Sequence, residues 1–165
     1  QLGKGPLPST VLSALAASGL SPGRLEIEVT ETALLNEEAG AIGDLRRLRD
    51  MGVRVALDDF GTGYSSLSHL RTFSFDKIKI DSSFVRDAVA RPDCAAVIGA
   101  VAAVAKRLGV TTVAEGVETQ EHLDRVRAEG CTEVQGYLYS RPMPSERDVP
   151  IVAALNQARQ ASSAA

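Results

Sequence analysis

Polar residues, mostly acidic, recur at the ends of short apolar runs along this sequence. They are Glu28 and Glu31, Asp58 and Asp59, Lys79 and Asp81, Glu115 and Glu118, and Gln135. The C-terminal ends of parallel barrel strands form one rim, so these residues are expected to converge there. Seven carboxylates on one rim repel one another unless cations compensate. Oxygen-rich sets of this kind suit hard divalent ions such as Mg²⁺, Mn²⁺ or Ca²⁺. Neighbours on an extended strand point opposite ways, so for both Asp58 and Asp59 to face the rim a turn must begin there. Gly61 and Gly63 are expected to supply it. A carboxylate pair so placed could bridge two metals ~3.5–4 Å apart, an arrangement that activates water against a phosphodiester. Lys79 reads equally as a salt-bridge partner for these carboxylates and as a catalytic lysine. His69 and His122 have no second metal-like partner nearby and read as non-ligands. Gly61-Thr62-Gly63 lacks the spacing of a P-loop or a dinucleotide fingerprint.

Alternating elements must carry this rim. Helices are expected over Pro8–Ser18, Glu37–Met51, Ser65–Arg71, Pro92–Leu108, Thr119–Glu129 and Ser145–Gln160. Strands are expected over Leu25–Val29, Val53–Asp58, Asp76–Asp81, Val110–Glu115 and Thr132–Leu138. Gly52, Gly109 and Gly130 each stand between a helix and a strand, the place of a left-handed cap. The order is α(βα)5, a parallel α/β pattern. Residues 157–165, rich in Ala, Ser and Gln, read as a flexible tail.

Five units could build a doubly wound sheet or part of a barrel. In Leu25-Glu26-Ile27-Glu28-Val29 and Lys77-Ile78-Lys79-Ile80-Asp81, charged and apolar residues alternate. A central strand of a doubly wound sheet is apolar on both faces. A barrel strand packs one face on helices and turns the other inward, where a site can be polar. The alternation favours a TIM-like (β/α)8 barrel, here a partial one of about five units. The units recur about every 27 residues, so eight would need roughly 215, near the size of a complete barrel.

Composition removes other function classes. The 165 residues carry 18 basic and 21 acidic side chains, a net charge of −3, with no basic patch for duplex DNA or RNA. Aromatics are 4% with no Trp, which leaves little to stack single-stranded bases. Cys94 and Cys131 cannot make a disulfide framework or a cysteine metal site, and read as small buried apolar residues. No apolar run approaches the ~20 residues of a membrane span. Gln1-Leu2-Gly3-Lys4-Gly5 is no signal peptide and carries no initiator Met, which points to a piece of a longer protein.

The segment Asp58-Asp59-Phe60-Gly61-Thr62-Gly63-Tyr64-Ser65-Ser66-Leu67 resembles the hallmark loop of EAL domains, the cyclic di-GMP phosphodiesterases of bacterial signalling. Glu28-Val29-Thr30-Glu31, Lys77-Ile78-Lys79-Ile80-Asp81, Ala114-Glu115-Gly116-Val117-Glu118 and Gln135-Gly136-Tyr137-Leu138-Tyr139-Ser140-Arg141-Pro142 resemble the family's other motifs, in order. The resemblance implies a TIM-like barrel whose first strand runs antiparallel to the rest, and hydrolysis of cyclic di-GMP to linear pGpG with Mg²⁺ or Mn²⁺. By position it implies Glu28, Asp58, Asp59 and Glu115 as metal ligands. Lys79 matches the lysine at the catalytic water and Asp81 its acidic neighbour, so Lys79, Asp81 and Glu115 form the expected catalytic set. Glu31 and Glu118 match glutamates that support the loop containing Gly61, Thr62, Gly63 and Ser65. Gln135 matches a polar residue of the site. The family couples that loop and the following helix to homodimerisation, often carries diguanylate-cyclase or sensory domains upstream, and acts on a cytoplasmic substrate.

The Glu-Ala-Leu motif and an Asn-containing strand that supplies a further ligand are absent from this sequence. Counted back on the resemblance, residues 1–156 hold strands four to eight of the barrel, and this chain is expected to be inactive alone and insoluble or oligomeric. Two other readings compete with the enzyme. A receptor that binds cyclic di-GMP without cleaving it would have lost ligands. A lysine-dependent aldolase would use Lys79 as a Schiff base, but that chemistry needs a lysine of lowered pKa, and the acidic neighbours here would raise it.

Overall fold

The computed structural model describes residues 5–35, 40–61, 70, 73–144, 150 and 152–153, and every structural statement below concerns these. Helix α1 (Leu7–Ser18) leads into strand β1 (Glu26–Thr30). There follow α2 (Glu31–Leu35), α3 (Gly40–Asp50), β2 (Arg54–Phe60), β3 (Lys77–Ile80), α4 (Ser82–Asp87), α5 (Pro92–Leu108), β4 (Thr111–Ala114), α6 (Gln120–Ala128) and β5 (Glu133–Val134). The five strands form one parallel sheet in the order β1-β2-β3-β4-β5. Right-handed crossovers in unbroken sequential order put all helices on one face, whereas a doubly wound sheet reverses direction at a switch point. The sheet is therefore an arc of a barrel, as the strand alternation predicts.

The helix-facing side is the core. Val55, Leu57, Ile78 and Ile80 are at most 1% exposed and belong to one cluster with Leu45 and Leu48 of α3, Val85 of α4, Ile98 of α5 and Val126 of α6. Strand side chains alternate between faces, so Glu26, Glu28, Lys77 and Lys79 fall on the opposite, concave side. Gly52, Gly109 and Gly130 all take positive φ between their helix and the next strand. Each is the left-handed stop its position predicts.

Several elements differ from expectation. The fifth strand is two residues long instead of seven. Beyond Val134 the chain pairs with the segment after β4: Val117 N–H donates to the Gln135 carbonyl at 3.0 Å and Leu138 N–H to the Val117 carbonyl at 3.0 Å. Gly136 permits this crossing, because a Cβ there would collide with the backbone of Val117. Two short helices, α2 and α4, arise where none is expected. Helix α2 starts on the residue after β1, and α4 is nucleated by Asp81, whose carboxylate accepts from Ser83 N–H at 3.0 Å. The segment expected as Glu37–Met51 is α3 from Gly40, with residues 36–39 outside the described set. The helices expected over Ser65–Arg71 and Ser145–Gln160 also lie outside it, except Leu70, Pro150, Val152 and Ala153, which are helical, and so does the tail 157–165. No helix among the described residues is long and apolar enough to cross a membrane.

Candidate active site

The concave face carries a lysine among carboxylates. Lys79 projects from β3 with its side chain 7% exposed. Its ammonium lies 2.9 Å from Glu28 Oε1 on β1, 3.0 Å from Asp58 Oδ1 on β2 and 2.7 Å from Glu115 Oε1, just past β4. Four consecutive strands thus contribute to one point. Burial acts to lower the Lys79 pKa, but hydrogen bonds to Glu115, Glu28 and Asp58 overcome it and hold the pKa well above the ordinary lysine value. That upward shift and the three carboxylate contacts count against the Schiff-base reading, because a nucleophilic amine must be neutral.

The Asp58–Asp59 pair is aimed by the strand itself. Pairing between β2 and β3 shifts register between Leu57 and Phe60, and Asp59 takes φ +53°. An inserted, left-handed residue re-aims a side chain without ending the strand. The turn expected from Gly61 and Gly63 is thus made two residues earlier, at Asp59. Gly61 follows at φ +102°, and Gly63 lies outside the described residues. Carboxylate oxygens of Asp58, Asp59 and Glu115 come within 4.8 Å of one another. Glu28 is not in that group and joins the cluster through Lys79. Burial raises the Asp59 pKa, and Asp58 and Asp81 raise it further against the opposing pull of Lys79. Burial also raises the pKa of Glu115, against its hydrogen bond with Lys79.

The remaining expected residues stand around this cluster. Glu31 is 2% exposed, and its Oε2 accepts from Gly61 N–H at 3.4 Å, so it holds the start of the loop. Asp81 is near enough to raise the Asp59 pKa, yet its carboxylate is occupied as the cap of α4. Burial works against its ionisation, but the Ser83 hydroxyl and amide prevail and lower its pKa. Glu118 is exposed, and its N–H donates to His122 Nδ1 at 3.4 Å. Gln135 is fixed by its backbone, whose N–H donates to the Ala114 carbonyl at 2.9 Å, and its side chain is exposed. Thr62, Ser65 and His69 lie outside the described residues.

A cavity of about 360 Å³ opens beside Glu115, walled by Arg86, Glu118, His122, Gln135 and Tyr137. Sequence reasoning missed Arg86 and Tyr137. Arg86 would have been found by recognising Asp81-Ser82-Ser83 as a helix start, which brings a base one turn later beside the rim. Tyr137 lies within a quoted motif, and the Arg141 guanidinium rests 4.6 Å from its ring centroid. A larger cavity of about 500 Å³ opens at the N-terminal ends of the strands, near Arg46, Arg49, Arg54 and Asp76. It lies at the opposite end from the carboxylates. Arg49 there pairs with Asp76 at 3.4 Å and Arg54 with Glu26 at 3.7 Å.

The family model described as "EAL domain" matches residues 1–142. The chain belongs to the EAL domain family. Among curated EAL relatives, the chain is 43% identical over 146 residues to the cyclic di-GMP phosphodiesterase RocR of Pseudomonas aeruginosa, covering 88% of this chain and 37% of RocR. Among solved EAL structures, it is similar to the PaMucR phosphodiesterase in complex with c-di-GMP, with a TM-score of 0.82 and 38% identity over 87% of this chain and 58% of that one. It is also similar to Klebsiella pneumoniae BlrP1 in a manganese/c-di-GMP complex, with a TM-score of 0.80 and 40% identity over 84% of this chain and 36% of that one. The first curated relatives are covered over only 18% to 37% of their length.

Proposed function

We propose that this chain, within its EAL domain, hydrolyses cyclic di-GMP to linear pGpG with divalent metal ions. The observation that carries the reading is the convergence of Glu28, Asp58 and Glu115 on the Lys79 ammonium, with Asp59 grouped beside Asp58 and Glu115. Four carboxylates against one cation leave an excess of negative charge in a partly buried place, and every donor is an oxygen. That donor set fits Mg²⁺ or Mn²⁺. The manganese complex of the similar BlrP1 supports the same class of ion.

In this reading Glu28, Asp58, Asp59 and Glu115 hold the ions. Bound there, divalent ions supply acidity to water and offset the charge of a phosphodiester. Lys79, held charged by its three carboxylates, orients the attacking water and the phosphoryl oxygens. Asp81 stands beside Asp59 as an acidic neighbour. Glu31 fixes Gly61 at the entry to the loop that carries Thr62, Gly63 and Ser65, and Glu118 is the second glutamate proposed to support that loop. Gln135 and the cavity beside Glu115 receive part of the nucleotide. Residues 1–156 belong to the EAL domain, with 157–165 as a tail. The domain is cytoplasmic and pairs with a second copy through the helix after the Asp58–Leu67 loop.

The test is product analysis. The intact protein that carries this chain, given cyclic di-GMP and Mn²⁺, is expected to release pGpG, and excess EDTA to stop it. Binding of the nucleotide with no product would replace the enzyme with a receptor.

A further inference from the structure

A second charged group lies below the first on the concave face. Lys77 precedes Lys79 by two residues on β3 and so faces the same way. Its ammonium lies 3.5 Å from Glu26 Oε2 on β1 and 3.0 Å from Glu133 Oε2 on β5. Glu26 also meets Arg54 of β2 at 3.7 Å. In register, Glu28 stands opposite Ala56, which stands opposite Lys77, so Lys79 is two residues beyond the row of Glu28. By the same count Lys77 is two residues beyond the row of Glu26. Val113 pairs with both Lys79 and Glu133, which sets Glu133 two residues beyond the row of Lys77. One uniform stagger therefore builds two parallel tiers, as a barrel's strand tilt requires. The upper tier is Glu28, Asp58 and Glu115 around Lys79. The lower tier is Glu26 and Glu133 around Lys77.

We infer that Lys77 is a positioning residue for Lys79. It engages Glu26 and Glu133, and so keeps these two carboxylates from drawing the Lys79 ammonium out of the upper tier. A lysine side chain is long and rotatable, and without Lys77 the lower tier keeps only Arg54, against Glu26, so that Glu133 competes for the Lys79 ammonium. With Lys77 in place, each tier has its own lysine. The Lys77–Glu133 pair also helps to seat β5, a strand of only two residues, Glu133 and Val134. Gln135 rides on that seat. A further anchor of β5 is a clasp of Thr132 with Thr112, in which each hydroxyl accepts from the other's N–H at 2.9 and 3.1 Å.

The consequence for turnover rests on the phosphodiesterase reading, so the deciding experiment does not use turnover. In the intact protein that carries this chain, lysine-selective ¹⁵N labelling, with Lys79 assigned by the resonance absent from Lys79→Arg, follows that ammonium directly. In Lys77→Met the Lys79 resonance is expected to move, and in Lys77→Met/Glu26→Gln/Glu133→Gln to return to its wild-type place. A Lys79 resonance that stays put in the single variant, or that moves and fails to return in the triple, overturns the inference. If Lys77→Met does not fold, Glu26→Gln/Glu133→Gln carries the test with Lys77 retained. There the Lys77 resonance is expected to move and that of Lys79 to hold, and equal movement of both overturns it. Where the intact protein turns over cyclic di-GMP, Lys77→Met is expected to lower kcat by about tenfold, within the range for ångström-scale misplacement of a reacting group, and the triple variant to recover it.

Discussion

Lys79 is the residue on which the site's electrostatics turn. Its Met variant would leave Glu28, Asp58 and Glu115 facing one another without a cation. Breaking a buried pair by removing one partner typically costs ~3–5 kcal/mol, and the partial exposure of Glu28 places the expected loss nearer about 2 kcal/mol. Mn²⁺ is then expected to raise the Tm of Lys79→Met more than that of wild type, because the ion replaces the missing charge, while hydrolysis stays abolished. Equal thermal shifts would count against cation binding at these carboxylates. Asp81 offers a pH test. Its pKa is lowered from 3.8 in the folded chain, so its stabilisation is present above that value and lost as pH falls through the folded pKa. Asn also caps helices, so Asp81→Asn is expected to keep α4 while flattening the fall in stability below pH 4, as followed by urea unfolding.

At the scale of elements, strands one to four carry the rim and the fifth depends on close approaches. Gly136→Ala would drive a Cβ into the Val117 backbone and is expected to cost about 3 kcal/mol or more, since backbone cannot rotate aside as a side chain can. Thr112→Val removes the hydroxyl that Thr132 N–H uses and is expected to cost about 1–2 kcal/mol, measured by denaturant unfolding. Most of this architecture was legible in the sequence. Alternating charge in Glu26–Val29 and Lys77–Asp81 announced a one-sided barrel strand, and glycines at 52, 109 and 130 marked the helix stops. The carboxylate rim was legible too, because strand ends in a parallel barrel share one edge. The bulge at Asp59 was not, since a left-handed aspartate inside a strand leaves no periodic trace and the nearby glycines offered a more ordinary turn. Helix α4 was missed because one turn of helix has no measurable period. The lower tier escaped notice because Lys77 and Glu133 come together only through the stagger of the strands.

For the molecule as a whole, the described sheet ends at β1 on one side and β5 on the other, each paired with a single neighbour among the described residues. Open edges of this kind invite pairing with further strands. The chain also covers only part of each solved EAL chain it resembles, 58% of PaMucR and 36% of BlrP1. The catalytic unit is accordingly proposed to include strands beyond this chain. The 165-residue chain alone is expected to self-associate in size-exclusion chromatography and to hydrolyse cyclic di-GMP at least tenfold more slowly than the intact protein, and equal rates would refute that division. The most direct test of the central claim is the rate of Mn²⁺-dependent cyclic di-GMP hydrolysis by the intact protein carrying Glu115→Ala. Thr119→Ala, which removes only the cap of α6, serves as the control. If the carboxylates around Lys79 form the phosphodiesterase site, Glu115→Ala abolishes pGpG formation at near-normal Tm while Thr119→Ala retains it. A Glu115→Ala protein that still turns over at more than about a tenth of the wild-type rate would place the chemistry elsewhere.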